Sequence, residues 1–290
     1  MVALEHRVVS PVIRRHSRGC PSAAPRPSRV EFIGRPLDAL TMEQTVGQVL
    51  AMVECGMPHQ HVCLNAAKVV LAEDDAKLRD IVDSCDLVNA DGQAVVWAAK
   101  LLGQPVPERV AGVDLFERLL GEAEERGLRV YLLGATTEVL FQTLIEVQRR
   151  HPQLQIAGAR DGYWDADEEA GVVSTIAGSH ADLLFVAMPS PKKERFLARH
   201  GSALGVPFLM GVGGSFDVLA GQTKRAPRWM RRCGMEWFYR LLQEPFRMVR
   251  RYAVGNTRFI LLTLSARRHT RRTRAAATAA AAEPALESAA

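Results

Sequence analysis

The sequence lacks the cysteine and histidine patterns of metal-binding and disulfide-rich proteins. Its 290 residues include five cysteines, none of them in a CxxC pair, and only His59 and His61 among the eight histidines stand close together. Zinc sites need three or four ligands at characteristic spacings, so neither residue type indicates one. The cysteine spacings also do not indicate a disulfide framework, and such cysteine usage is typical of a reducing cytosol.

Long hydrophobic runs are missing as well. The longest strongly apolar run covers residues 259–264, whereas a membrane-spanning helix needs about 20 apolar residues. Residues 1–29 are rich in Arg, Pro and Ser without an apolar segment, so we expect a disordered basic arm and not a secretory signal. The sequence therefore predicts a cytoplasmic protein that can touch a membrane but does not cross it.

Acidic residues are scarce where arginines are dense. The formal net charge is +5, but residues 224–274 are rich in arginine, whereas acidic residues are frequent between Glu73 and Glu194. A local basic region predicts an anionic partner: a membrane surface, a phosphorylated substrate or nucleic acid.

Short apolar runs alternate with helical patterns through most of the chain. This alternation predicts a Rossmann-like α/β fold, in which helices cover both faces of a parallel sheet. From residue 222 the pattern changes to arginine-rich amphipathic helices, and from residue 275 to an alanine-rich stretch. We therefore predict an α/β core at residues 30–221, a basic helical appendage at residues 222–274 and a disordered tail at residues 275–290.

Asp91 follows a short apolar run and stands just before a predicted helix. Gly92 beside it permits a sharp turn of the backbone. Ligands of open α/β sheets bind beyond the carboxyl ends of the strands, so Asp91 is a candidate catalytic carboxylate. The alternative is an acid that only caps the following helix.

A glycine-rich loop, Gly211-Val-Gly213-Gly214-Ser-Phe216, follows another predicted strand. It departs from the dinucleotide fingerprint because Phe216 occupies the third glycine position and the acid near the expected distance, Glu236, lies among the arginine-rich helices. The loop therefore supports a nicotinamide site only weakly. It could bind another anion through its backbone amides, or it could be a turn needed for close packing.

Three basic residues stand beside predicted helix starts. Lys192 and Lys193 open one helix, where cations oppose the helix dipole, so we interpret them as contacts for a phosphate or nucleotide. Arg109 lies just before another helix and could either bind an anion or pair with Asp114. An Asp165-Ala-Asp167 pair could hold a metal, but Glu168 beside it equally favours an ordinary helix start. We predict no metal site there.

The C-terminal helical pattern places four arginines on one stripe: Arg247, Arg250, Arg251 and Arg258. Trp237 and Phe246 provide apolar area beside the stripe. A basic, aromatic, amphipathic helix is typical of a membrane-surface element. The alternative is a solvated face on a helix that is docked to the core.

Several short motifs occur in a characteristic order. They are Leu64-Asn65, Asn89-Ala-Asp91-Gly92, Arg109 with Gly112 and Asp114, Gly211-Val-Gly-Gly-Ser-Phe-Asp217, Gly221 with Arg225-Ala-Pro227, Glu236-Trp237, Tyr239-Arg240, Glu244-Pro245 and Arg251-Tyr252. Through them the chain, from about Val30 to Thr263, resembles the WecG/TagA/CpsF family of bacterial glycosyltransferases, family 26. The resemblance implies inverting transfer of a sugar from a UDP-sugar to a polyprenyl-diphosphate-linked acceptor at the inner face of the cell membrane, without a required metal or other cofactor.

The resemblance also implies roles for individual residues. Asp91 matches the family's general base, and Asn65 matches an asparagine that could orient the sugar or the base. The residues expected at the donor are Cys63, Arg109, Gly134, Lys193, Gly211, Gly213, Gly214 and Asp217. Those expected at the acceptor diphosphate and the anionic membrane are Arg225, Arg228, Arg240, Arg247, Arg250 and Arg251. No nucleic-acid partner is implied, and a homo-oligomer is compatible with the sequence.

Two positions depart from the family pattern. Many members carry Thr at the position of Cys63 and Gln at the position of Lys193, so the donor sugar stays open among N-acetylmannosamine, its uronic acid and glucose. A nicotinamide-dependent oxidoreductase is the alternative function. A nucleic-acid-binding protein would explain the basic C-terminal region but not the acid at the sheet edge.

Overall fold

The structure is a computed structural model that describes residues 28–227, 229–230, 235–243 and 255–269. The predicted basic arm, apart from residues 28 and 29, and the predicted alanine-rich tail lie outside these residues.

An antiparallel hairpin opens the described chain. It consists of β1 (Arg29–Phe32) and β2 (Arg35–Asp38), joined by two residues with positive φ, Ile33 and Gly34, as in the tight turns that favour hairpins. Asp38 ties this hairpin to the main sheet, because its carboxylate accepts a hydrogen bond from the Val88 N–H at 2.7 Å.

Six further strands form the main sheet: β3 (His59–Leu64), β4 (Leu87–Ala90), β5 (Arg129–Gly134), β6 (Gln155–Arg160), β7 (Leu183–Ala187) and β8 (Phe208–Gly211). Their order is β4-β3-β8-β7-β5-β6, and each neighbouring pair is parallel. The predicted Rossmann-like parallel sheet is confirmed. Buried strands of such sheets read as continuous apolar runs, and all five residues of β7 are buried.

Helices follow the strands as predicted. They are α1 (Met42–Cys55), α2 (Ala66–Asp74), α3 (Ala76–Ser84), α4 (Gln93–Leu101), α5 (Gly112–Arg126), α6 (Thr137–Arg150), α7 (Glu169–Gly178), α8 (Lys192–Leu204) and α9 (Ser215–Leu219). Beyond them lie a helix at Glu236–Gln243 and a helix at residues 255–269, which we call the C-terminal helix. Thr41 and Gln44 form a capping box at the start of α1.

Alternating strand residues point to two different layers. On one face Phe185, Phe208 and Met210 pack with the buried residues of α1, α5, α6 and α9, including Phe116. On the other face there are two apolar clusters. One gathers Leu64, Val88 and residues of α2, α3 and α4, and the other gathers Leu133, Val186 and residues of α7 and α8.

The C-terminal helix packs against the core. Phe259 is buried in the cluster around α2, α3 and α4, with its ring centroid 6.4 Å from that of Phe32. Arg258 forms a two-pronged salt bridge with Asp74, at 2.6 and 2.7 Å. Arg258 is therefore paired with an exposed carboxylate of α2, while the other three arginines of the predicted stripe lie outside the described residues, so the stripe stays a prediction. Within the described part of the chain, no helix has the length and apolarity to span a membrane.

The described cysteines differ in whether their sulfur atom is bonded in a disulfide or is a free thiol. Cys55, the last residue of α1, is disulfide-bonded, which the sequence spacing did not indicate. Cys63 and Cys85 are free and buried, and burial raises the pKa of both thiols. They are therefore protonated at neutral pH and poor nucleophiles.

Candidate active site

The carboxyl edge of the main sheet brings the predicted site residues together. Asn65 directly follows β3 and Asp91 directly follows β4, while β8 runs into the glycine loop at residues 211–214. The strands are parallel, so these loops meet at one edge, which is where α/β proteins bind ligands. β7 ends at the same edge and leads through Ser190 to Lys193 at the start of α8.

Asn65 and Asp91 are neighbours in the sheet register. Cys63 pairs with Asn89 and Leu64 with Ala90, so each of the two residues follows a matched pair. Asn65 is the N-cap of α2, because its Oδ1 accepts the Lys68 N–H at 2.9 Å. Its cap fixes the side chain at the sheet edge.

Asp91 directly precedes α4, whose N-cap residue is Gly92. Asp91 is therefore not itself the N-cap residue, and its role as a catalytic carboxylate stays a prediction. Gly92 has φ 98°, a region that favours glycine, and a Cβ added there would lie 3.9 Å from the Cβ of Asn65. The turn that carries Asp91 therefore rests against Asn65.

Cys63 lies under this edge as a closely packed side chain. Its Sγ would be 3.0 Å from a Cβ built on Gly112, so a glycine at the start of α5 permits the close approach. Burial raises the pKa of the Cys63 thiol, and the negative charge of Asp91 adds to this shift. Cys63 is thus an uncharged, buried side chain whose thiol pKa is affected by the charge of Asp91.

A buried hydrogen-bond chain supports the strand that carries Asp91. Asn89 is fully buried. Its Oδ1 lies 2.9 Å from Nε2 of His61 on β3, and its Nδ2 donates to Oγ1 of Thr45 on α1 at 3.0 Å. Burial lowers the pKa of His61 to about 4, so the ring is neutral and its Nε2–H donates to Asn89. The roles of His61 and Thr45 could not be identified from the sequence, because only the fold brings them to Asn89.

A buried ionic cluster lies between α2 and α8. Lys68 and Lys193 both contact Oε1 of Glu194, at 2.7 and 3.0 Å, and Ser190 donates its hydroxyl to the same oxygen at 2.9 Å. Burial alone would raise the pKa of Glu194, but the charges and hydrogen bonds of the two lysines lower it to about 2. The glutamate is therefore ionised at neutral pH. Lys193 was predicted from sequence, whereas Lys68 and Glu194 were not.

Backbone conformation and close packing explain why glycine occupies several of the positions predicted to bind the donor. Gly134 has φ 115°, and a Cβ there would come within 2.5 Å of the Ala187 carbonyl oxygen, so close approach of β5 to β7 requires glycine. A Cβ on Gly211 would come within 2.7 Å of the Lys193 side chain. Gly213 has φ 54°, Gly214 is the N-cap of α9, and Asp217 lies in the first turn of that helix. Their contact with a donor stays a prediction.

Arg109 and Arg225 join the C-terminal segment to the core. Arg109 pairs with Glu236 at 3.1 Å and, more loosely, with Asp114 at 3.8 Å. Arg225 pairs with Asp114 at 2.7 Å. Of the two interpretations of Arg109, the structure contains the pairing with Asp114, and its contact with a donor stays a prediction. The same holds for the predicted acceptor contact of Arg225.

Other predicted residues lie beyond what the structure describes. Four arginines expected at the acceptor or membrane are outside the described residues: Arg228, Arg247, Arg250 and Arg251. Phe246 is outside them too, and Arg240 and Trp237 are described by their helical backbone alone. Asp165 and Asp167 are exposed, and no group of three metal-ligating side chains occurs among the described residues.

The chain matches a known protein family. The model of the glycosyl transferase WecG/TagA/CpsF family matches residues 30–273. The chain belongs to this family. It is therefore a glycosyltransferase, which confirms the resemblance, and the nicotinamide interpretation of the glycine loop is set aside.

Two curated relatives are Bacillus enzymes with the same name, N-acetylglucosaminyldiphosphoundecaprenol N-acetyl-beta-D-mannosaminyltransferase. The Bacillus spizizenii protein is 38% identical over 174 residues, which are 60% of this chain and 67% of that protein. The Bacillus subtilis protein is 32% identical over 213 residues, which are 73% of this chain and 78% of that protein.

Proposed function

We propose that this glycosyltransferase moves a hexose or N-acetylhexosamine from a UDP-sugar to a polyprenyl-diphosphate-linked sugar, with inversion at the anomeric carbon, in the synthesis of a cell-surface polymer. The observation that carries the proposal is the placement of Asp91 beside Asn65 at the carboxyl edge of the sheet, one residue before Gly92, the N-cap of α4. The names of the two Bacillus relatives describe transfer of N-acetylmannosamine to a lipid-linked N-acetylglucosamine, which makes that pair of substrates the first to test.

Asp91 is the proposed general base. As the acceptor hydroxyl oxygen attacks the anomeric carbon, its proton passes to the Asp91 carboxylate and the bond from the anomeric carbon to the diphosphate oxygen breaks. UDP leaves from the face opposite the attack, so the configuration inverts. Asn65 orients the sugar or the base from the neighbouring strand end, where its capping bond to Lys68 holds it.

The departing UDP carries negative charge that the site must compensate. Lys193 and the backbone of residues 211–214 lie at the same sheet edge as Asp91, and this supports a role in binding the diphosphate or the sugar. Arg109 and Arg225 already pair with acids, so a role at the leaving group requires them to exchange Glu236 or Asp114 for a phosphate oxygen.

Peripheral attachment to the inner face of the cell membrane is the second part of the proposal. A lipid-linked acceptor keeps its chain in the bilayer, so the enzyme must work at that surface. Six exposed apolar side chains of the C-terminal region support this: Trp229, Met235, Leu242, Ile260, Leu261 and Leu264. Arg267 and Arg268 follow three of them on the C-terminal helix, and an apolar face with basic neighbours suits an anionic membrane surface.

The direct experiment supplies both substrates to the purified chain. UDP-N-acetylmannosamine and a synthetic lipid-diphosphate N-acetylglucosamine should give one equivalent of UDP per equivalent of disaccharide-lipid, measured by mass spectrometry, with an inverted anomeric configuration by NMR. UDP-glucose and the uronic-acid donor are tested in parallel. Absence of transfer from every UDP-sugar would contradict the proposal.

A further inference from the structure

The cluster of Lys68, Lys193 and Glu194 contains more buried positive than negative charge. The exposed fractions of the three side chains are only 6%, 8% and 3%. Two ammonium groups share one carboxylate, so the cluster carries a net charge of about +1 in a place where an unbalanced charge is unfavourable. The burial of Lys193 and the nearby charge of Lys68 both lower the pKa of Lys193, in keeping with this crowding of cations.

Both lysines lie near helix N-termini, which makes their buried positive charges still less favourable. Lys68 lies in the first turn of α2 and Lys193 in the first turn of α8. The positive end of the helix dipole is at the N-terminus, so both cations oppose it. Burial, mutual repulsion and the dipole therefore all disfavour this arrangement in the absence of an added anion.

A second observation points to a ligand. The ion pairs and the hydroxyl hydrogen bond of Glu194 use Oε1, whereas Oε2 is buried and has no hydrogen-bond partner among the described residues. A buried carboxylate oxygen normally accepts a hydrogen bond, and leaving it without one is unfavourable. The cluster thus presents an excess cation together with an unused acceptor.

The cluster also lies next to the proposed donor site. The aliphatic part of Lys193 packs against Gly211 at the start of the glycine loop. The charges of Asp91, Lys68, Lys193 and Glu194 all affect the pKa of the Cys63 thiol, in keeping with a common location near the end of β3. The packing of Lys193 against Gly211 places the lysine stem beside the loop that is the proposed donor site.

We propose that the cluster binds an anionic group of the donor through Lys193, while Oε2 of Glu194 accepts a hydrogen bond from a neighbouring donor hydroxyl. Lys68 is a positioning residue that keeps Glu194 in place. This inference rests on the proposed function. Two parts of a sugar nucleotide have the required chemistry: the diphosphate, common to all UDP-sugars, and a carboxylate at C6 of a uronic-acid sugar. The experiment distinguishes them.

Binding is measured by isothermal titration calorimetry on the full chain with three ligands: UDP, UDP-N-acetylmannosamine and the corresponding UDP-uronic acid. The variant is Lys193→Gln, and the control is Lys77→Gln, an exposed lysine of α3. Thermal melting checks that each variant is folded. Lys68→Gln serves as a second variant, since it removes the same excess charge from the partner helix.

If the anionic group is a sugar carboxylate, the native chain binds the uronic-acid donor at least tenfold more tightly than the neutral one. Lys193→Gln then removes this preference and leaves UDP affinity unchanged. If the group is the diphosphate, Lys193→Gln weakens all three ligands about equally, by tenfold or more. Folded Lys193→Gln and Lys68→Gln variants that bind all three ligands as the native chain does would overturn the inference. Failure of the native chain itself to bind UDP would instead contradict the proposed function.

Discussion

Asp91 donates its backbone N–H to the carbonyl oxygen of Leu64 at 2.9 Å. This bond extends the β3–β4 pairing by one residue beyond the last registered pair, Leu64 and Ala90. The position of the Asp91 backbone is therefore set by the sheet, and the residue after Leu64 is Asn65. Two candidate catalytic side chains are thus placed by adjacent strands, which hold functional groups more precisely than long loops do.

The proposed catalytic role of Asn65, which is to orient the sugar or the base, can be tested separately from its structural role as the N-cap of α2. Asn65→Ser keeps an N-cap oxygen, and serine is as good a cap as asparagine, so the melting temperature should change little. The amide that orients the sugar or base is lost, and kcat/KM should fall by about tenfold or more because positioning in the transition state is impaired. Asn65→Ala is the matched comparison and should also lose stability, by about 1 kcal/mol. Full activity of Asn65→Ser would reduce Asn65 to a cap.

The buried cluster predicts a specific pH dependence of stability. The pKa of Glu194 is about 2 in the folded chain, below the ordinary value of 4.5. Its contribution is therefore fully present above pH 4.5 and is lost as the pH falls toward 2. Glu194→Gln removes the only carboxylate of the cluster and should lower the free energy of unfolding at neutral pH by roughly 3–5 kcal/mol.

The difference between the native chain and Glu194→Gln should narrow as the pH falls from 4.5 to 2. Urea unfolding at a series of pH values measures it, with Glu125→Gln, an exposed position of α5, as the control. A constant difference across this range would show that the charge of Glu194 does not stabilise the fold.

Transfer should not depend on a divalent metal. Asp165 and Asp167 are exposed and lie at a turn before α7, and Glu168 donates its N–H to the Asp165 carbonyl. Saturating EDTA should leave the rate unchanged, and Asp167→Ala should have little effect on turnover. Activity that disappears on chelation and returns with Mg²⁺ or Mn²⁺ would make the pair a metal site.

Membrane attachment should depend on the exposed apolar side chains of the C-terminal helix. Leu261 is 61% exposed, so Leu261→Glu should leave the fold intact and weaken co-sedimentation with phosphatidylglycerol vesicles. Ile145→Glu, at an exposed position of α6, is the control and should sediment as the native chain does. Binding should also weaken with rising salt, because attraction between charges decays over about 8 Å at physiological ionic strength. Equal sedimentation of both variants would exclude this surface.

Local sequence signals predicted the elements of the fold well. The glycine turn after Asp91 and the apolar strand runs depend on neighbouring residues, and both are present in the structure. The strand order could not be predicted in this way. β8 lies between β3 and β7, although it is the last strand of the described residues, and such pairing depends on contacts between distant segments.

Ion pairs between distant segments of the chain could not be predicted from the sequence either. Lys68 and Glu194 belong to different helices, and only the parallel sheet brings the starts of α2 and α8 together. The helical spacing of Arg258 predicts a basic stripe but does not predict its ion pair with Asp74, which accompanies the packing of Phe259 against the core. Residue spacing shows which side chains share a helix face and not which surface that face meets.

The central claim is that Asp91 is the general base of an inverting sugar transfer. Asp91→Asn preserves the shape of the side chain and removes its capacity to take a proton, so turnover should fall by ~10²–10⁴-fold. The decisive measurement is single-turnover transfer from UDP-N-acetylmannosamine to the lipid-linked acceptor, with UDP affinity measured in parallel. The account predicts this loss of rate with UDP affinity unchanged. A folded Asp91→Asn protein that transfers sugar at nearly the native rate would contradict it.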